Sequence, residues 1–218
     1  MPMNHIMVKR IRTVYQYEEE YIHIDGISLP AYAEKFVKEA GDQAMERFGS
    51  LMGLCPAQSK DLLWEGERRF IRVLLARMEP TVVPILVCEE DLDLSCIVFV
   101  VSVRKEGAFV YWDKLGYVSH EKEDLQKELK CGILHLSSYS EEDWLKYGDN
   151  IAWADTGSEE WKKWISENWE EELFRRRMNY TLPYYEDEQN IIWLKQTDWI
   201  FSREEYQRCI ACSSGRDK

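Results

Sequence analysis

Residues 82–118 constrain the fold of this chain more than any other stretch. They read VVPILVCEEDLDLSCIVFVVSVRKEGAFVYWDKLGYV, three apolar runs rich in β-branched and aromatic residues, separated by two short polar segments. That pattern predicts consecutive antiparallel strands joined by short turns. Residues 96–103 (CIVFVVSV) are apolar at almost every position, which fits a central strand covered on both faces. Strand one is expected over 82–87, with Pro84 placing it at an edge or making it irregular. Strand two is expected over 96–103, and strand three over 108–113 with a continuation over 115–118. A tight turn at Lys105, Glu106 and Gly107 joins the last two, so the three form a meander.

Helical periodicity surrounds this sheet. Residues 31–48 place Tyr32, Phe36, Val37, Ala40, Ala44 and Phe48 on one face, and Pro30 suits the first turn. Ser59 is positioned to cap a helix over 60–78, with a strand from Phe70 as the alternative. Further helices are expected over 119–130, 140–147 and 159–178, and from a Ser202/Glu205 capping box to Cys212. Thr156 and Glu159 have the same spacing. Residues 6–17 and 21–24 read as edge strands or a hairpin, and 132–137, 191–194 and 199–201 as short strands. Residues 180–189, marked by Pro183, read as a loop. The fold class is therefore α+β, a central antiparallel sheet flanked by helices. One domain over 1–218 accounts for the pattern, with 119–140 as the place for any subdivision.

Composition narrows the partners. At 45% hydrophobic and 13% aromatic residues the chain is not of the disordered type. Forty acids against twenty-eight bases give a formal charge of −12. Such a surface repels phosphate backbones and anionic membranes, and it attracts basic proteins. No window approaches the roughly 18 apolar residues of a spanning helix. No signal peptide is read at the start, and the six cysteines are scattered, so a cytoplasmic chain with reduced thiols is expected.

Catalytic motifs are missing from the sequence. The Cys209–Cys212 CxxC closes a helix and has no second ligand pair, so neither metal nor cofactor is expected. His5, His23, His120 and His135 are dispersed. There is no phosphate-cradling glycine motif and no nucleophile elbow. Glu89, Glu90, Asp91 and Asp93 form an acidic link between two strands. It lacks EF-hand spacing and reads as a solvated loop or as a contact patch for a basic partner. A second acidic region covers residues 140–188, where fourteen acids face six bases and leave −8 of the total charge. It also holds the stripe Trp161, Trp164, Ile165 and Trp169, which reads first as core and second as an interface anchor.

Acidity, tryptophan content, a compact α+β pattern and the lack of a catalytic motif together resemble the immunity proteins of bacterial polymorphic-toxin and contact-dependent inhibition systems. The resemblance implies a cytosolic binding protein that occludes the active site of a cognate basic toxin. The candidate partner-binding residues are Glu89, Glu90, Asp91, Asp93, Glu170, Glu171, Glu172, Asp187 and Glu188. Two other readings compete with it. One is an enzyme assembled from His120, His135, Cys131 and the acidic link; the other is a homodimer formed through the Trp-rich helix.

Overall fold

The computed structural model describes residues 2–12, 18–41, 53–132 and 159–213. Its first unit is a hairpin of β1 (Ile6–Arg12) and β2 (Glu18–Ile24), extended by the two-residue β3 (Ile27–Ser28). Asp25 and Gly26 turn the chain with positive φ, 50° and 84°, the signature of a tight turn after β2. Ser28 then caps α1 (Leu29–Ala40) by accepting from the Ala31 amide, and Pro30 occupies the first turn, where its missing N–H costs nothing. The helix faces inward with Leu29, Ala33, Phe36 and Val37 rather than with Ala40, which is exposed. Expected residues 42–48 of this helix lie outside the described residues.

The second unit is an antiparallel sheet in the order β4 (Leu54–Pro56), β5 (Thr81–Cys88), β6 (Val98–Glu106), β7 (Phe109–Val118), β8 (Ile191–Ser202). Together with the helices it makes the fold α+β, as the sequence pattern requires. β6 is the central strand, with Val98, Phe99, Val100, Val101 and Val103 all buried. Pro84 sits at a register shift between Pro84 and Leu86, so the irregular alternative is the one realised. Gly107, at φ 55°, lets Glu106 pair directly with Phe109. Strand three is continuous where an interruption was expected at Lys114, because a shift opposite β8 absorbs the change in pattern. The same irregularity unites 191–194 and 199–201 into one strand, with Asp198 at φ 51° on the bulged side. β4 is a strand the sequence reading did not contain. It is three residues long, too short for periodicity to show.

The helix after β4 is α2 (Glu65–Ala76). It starts later than expected: Ser59 Oγ accepts from the Asp61 amide and closes a turn, while Trp64 occupies the cap position. The strand alternative from Phe70 is not realised. Residues 119–130 divide into a 3-10 turn (His120–Lys122) and α3 (Leu125–Lys130), which Asp124 caps through the Gln126 and Lys127 amides. The long helix expected over 159–178 breaks at Asn168 into α4 (Glu159–Glu167) and α5 (Trp169–Arg176). It then continues as a π-turn (Arg177–Thr181) and α6 (Leu182–Glu186). The expected loop over 180–189 is thus largely helical. Pro183 lies in the first turn of α6, where an intrahelical bond is not required of it. α7 (Arg203–Ser213) follows β8, with the Glu205 amide donating to Ser202 Oγ at 3.1 Å as the capping box predicts. The expected strand over 132–137, the helix over 140–147 and the Thr156 cap fall on residues outside those described, apart from Gly132.

One apolar core runs through both sheets, from Ile6 and Ile24 to Val100, Trp112 and Phe201. Trp112 is fully buried, edge-on to Phe201 at 5.5 Å. Asn4 ties the hairpin to β8 by exchanging bonds with Ile200 at 2.7 and 2.9 Å, and the Tyr21 hydroxyl donates to the Leu54 carbonyl at 2.7 Å. α5 lies on α2 at Gly66, where an added Cβ would collide with the Glu170 carbonyl. Within the stripe, Trp169 is half-buried and packs edge-on to Trp64 at 5.8 Å, and one turn further on Leu173 is buried. The side chains of Trp161 and Trp164 lie outside the described residues.

A buried ion pair joins these parts. Glu67 of α2, 0% exposed, accepts from Nε and Nη2 of Arg177 at 3.0 and 2.7 Å. Its second oxygen accepts from the Leu94 amide at 3.2 Å, and Arg177 also donates to Glu128 at 3.3 Å. Burial pushes the Glu67 carboxyl upward, while the Arg177 charge opposes that shift. Removing one partner leaves the other charged and buried. Glu67→Ala is therefore expected to lower the unfolding free energy by roughly 3–5 kcal/mol, measured by denaturant titration. Glu67→Leu combined with Arg177→Met should recover most of that loss. Equal losses in the single and double variants would show that the pair matters through shape and not through charge.

Candidate functional site

Strand pairing decides which connections share a face. Val87 lies opposite Val98, Phe99 opposite Tyr117, and Val118 opposite Ile191. The end of β5, the start of β6, the end of β7 and the start of β8 therefore lie along one end of the sheet. At a strand spacing of about 4.8 Å they span about 15 Å. Three connections leave there. Residues 89–97 carry Glu90, Asp91 and Asp93 besides the buried Glu89, residues 119–124 carry Glu121, Glu123 and Asp124, and residues 187–190 carry Asp187 and Glu188. Lys122 is the one lysine or arginine within them. The sequence reading found the first and third groups. It missed the second because three acids among polar neighbours carry no signal until the topology sets them beside the others.

The first connection is held closely by backbone bonds. The Cys88 amide donates to Ile97 at 3.1 Å, Leu92 to Cys88 at 3.0 Å, and Leu63 to Leu92 at 2.7 Å. Asp93 Oδ1 accepts from the amide and hydroxyl of Ser95 at 2.8 and 2.6 Å. With Leu94 bonded to Glu67, the loop is fixed from both its own strands and α2. Leu92 adopts φ 52°, a left-handed conformation costing a branched residue about 1–3 kcal/mol unless its surroundings enforce it. That turn brings Asp91 back over the strand ends, where its carboxylate and the thiols of Cys88 and Cys96 lie within 4.8 Å of one another. Burial pushes the Cys96 thiol up to about 12, and its hydrogen bond to Asp91 acts in the same direction.

The remaining candidate acids are placed differently. Glu89 is buried, its carboxylate packed over the open side of Gly53. Glu170 accepts from the Gly66 amide at 2.7 Å and so serves the exposed amides at the start of α2. Glu171 pairs with Arg69 at 2.7 Å, and Glu172, 0% exposed, pairs with Arg176 at 2.5 Å. The acidic triplet of α5 is thus a clasp on α2 and on its own helix. Asp187 caps the 3-10 turn Glu188–Asn190 through the Gln189 amide, and Glu188, largely solvent-exposed, reaches Lys114 at 2.9 Å.

The described histidines are separate from one another. His5 contacts Glu205, His23 Nδ1 lies 3.1 Å from the Tyr21 carbonyl, and His120 lies 3.1 Å from Glu123. His135 lies outside the described residues. Cys131 is half-buried, its carbonyl accepting from Asn179 at 2.9 Å. A cleft of about 320 Å³ between α2, the β6–β7 turn and α7 is lined by Arg72, Lys105, Arg203 and Tyr206 among apolar residues. Among the described residues, its lining includes no carboxylate, thiol or imidazole. Lys105 is held there by the Leu75 and Arg77 carbonyls at the end of α2.

A second acid pair borders the acidic link. Glu19 of β2, buried, accepts from Ser59 Oγ at 3.0 Å. Burial, followed by a hydrogen bond to Asp61, raises its carboxyl to about 7. Nearby, burial and the Glu19 charge push the Cys55 thiol up to about 12. A carboxyl raised on folding stabilises the fold at low pH, and that contribution is lost as pH rises from about 4.5 through 7. Glu19→Gln should therefore gain on the wild type between pH 5 and pH 8, by about 2 kcal/mol after allowing for partial solvation. Unfolding free energies at the two pH values measure this. A difference between the proteins that stays flat with pH would contradict the assignment.

Comparison with protein-family models, curated proteins and solved structures returns no match.

Proposed function

We propose that this chain is a binding protein for a basic partner, in the manner of the immunity proteins of bacterial toxin systems, which block a cognate toxin by covering its cationic active site. The observation that carries the proposal is the convergence of three acidic connections on one end of the five-stranded sheet. Besides the buried Glu89, eight carboxylates from 89–97, 119–124 and 187–190 lie there; Lys122 is the one lysine or arginine within those connections, and Lys114 of β7 reaches Glu188. A charge of −12 over the whole chain adds a long-range field of the same sign, which steers a cationic partner inward and raises its association rate.

Rigidity supports the same reading. A loop already fixed by backbone bonds and by Glu67 loses little conformational entropy on binding. The contact set this favours is Glu90, Asp91, Asp93, Glu121, Glu123, Asp187 and Glu188. Glu170 and Glu171 are engaged with α2 and Glu172 with Arg176, so they contribute to charge more than to contact. The mechanism is steric and electrostatic.

The test is co-purification with the product of the adjacent upstream gene, followed by association kinetics at low and high salt. A tight complex is expected, with an association rate falling at least tenfold between the two. Glu90→Lys with Glu188→Lys should slow association roughly tenfold further, leaving the fold intact by circular dichroism. If no complex forms, or if one forms with rates indifferent to salt and to both reversals, the proposal is wrong.

A further inference from the structure

Cys88, Asp91 and Cys96 form a ligand set that the sequence reading did not recognise. Cys88 ends β5, Cys96 lies just before β6, and Asp91 is folded back between them by the Leu92-to-Cys88 bond. Their sulfur and carboxylate atoms lie within 4.8 Å of one another. Tetrahedral zinc holds sulfur at about 2.3 Å and carboxylate oxygen at about 2.0–2.2 Å, which sets ligand atoms roughly 3.5–3.8 Å apart. A contraction of roughly 1.3 Å at most closes the set around one ion.

We propose that Cys88, Asp91 and Cys96 bind a thiophilic divalent cation of the zinc class. Two sulfurs and one oxygen select a borderline or soft metal over magnesium or calcium, which prefer oxygen alone. Three protein ligands leave a fourth position, and Asp91 on the exposed side places it toward solvent. The ligands sit on two adjacent strand ends and a bonded turn, and that support holds their geometry. Binding would cross-link both ends of the 89–97 connection.

The inference stands apart from the partner proposal, because its test needs no partner. Reduced full-length protein is titrated with Co²⁺ under anaerobic conditions. Sulfur-to-cobalt charge-transfer absorption is expected at one equivalent, lost on adding equimolar Zn²⁺. Cys88→Ser and Cys96→Ser should each abolish the absorption, Asp91→Asn should weaken binding at least tenfold, and Cys131→Ser should change nothing. Because a variant in this loop could fail to fold, a second measurement uses the wild type: Zn²⁺ should protect Cys88 and Cys96, and not Cys131, from alkylation mapped by mass spectrometry. Absence of the charge-transfer band, a band that survives in folded Cys88→Ser, or protection confined to other cysteines would overturn the proposal.

Discussion

The buried pair of Glu67 and Arg177 is the interaction on which the arrangement of the acidic face depends. An isolated carboxylate at that depth would be costly, and an isolated guanidinium nearly as much, so each exists there because of the other. Glu67 brings α2 and, through the Leu94 amide, the acidic connection. Arg177 brings the π-turn and, through Glu128, α3. One ion pair therefore fixes four segments far apart in sequence. The π-turn has a place in this, because widening the helix at Arg177–Thr181 changes which face the following residues present. The arrangement puts charge in the interior to position charge on the surface.

The distribution of acid follows from that division. Of the acids clustered in sequence, those of α5 are engaged by Gly66, Arg69 and Arg176 and serve helix packing, with Glu172 alone buried. In the strand connections Glu89 alone turns inward, over Gly53, while Glu90, Asp91, Glu121, Glu123, Asp124, Asp187 and Glu188 are exposed. The strand pairing collects the exposed ones at one end of the sheet. Local charge density along the chain is thus a poor guide to charge density on the surface. Topology decides the second.

This explains which parts of the molecule were legible. The meander, the Asp25–Gly26 turn, Pro30 and the Ser202 cap each carry a local signal, and each appears where it was read. Ser59 misled because a capping serine looks the same whether it opens a helix or a single turn. Pro183 misled because proline ends a helix only where its N–H is needed. The burial of Glu67 had a faint signal: it lies on the same face as Ile71 and Leu74 at i+4 and i+7, an acid in an apolar line. The Cys88, Asp91 and Cys96 set had none, since it depends on a left-handed Leu92 that no propensity favours. What is local was readable, and what is made by a bond across the fold was not.

That leucine links the two proposals. Holding Asp91 over the strand ends places three carboxylates, Glu90, Asp91 and Asp93, in a short turn beside the Glu67 carboxyl, which the Asp93 charge pushes further upward. Mutual repulsion favours an open loop, and a branched residue at positive φ favours one too. Backbone bonds and the Leu94–Glu67 contact oppose both tendencies. A cation held by Asp91 and the two cysteines would oppose them from the other side, tying the turn to β5 and β6 while leaving Glu90 and Asp93 free of coordination. A loop so tied would present Glu90 and Asp93 to a partner at a smaller entropic cost. The sequence feature that dictates the sheet would then also dictate the site, because the residues that close the set are the ones that interrupt its first two strands.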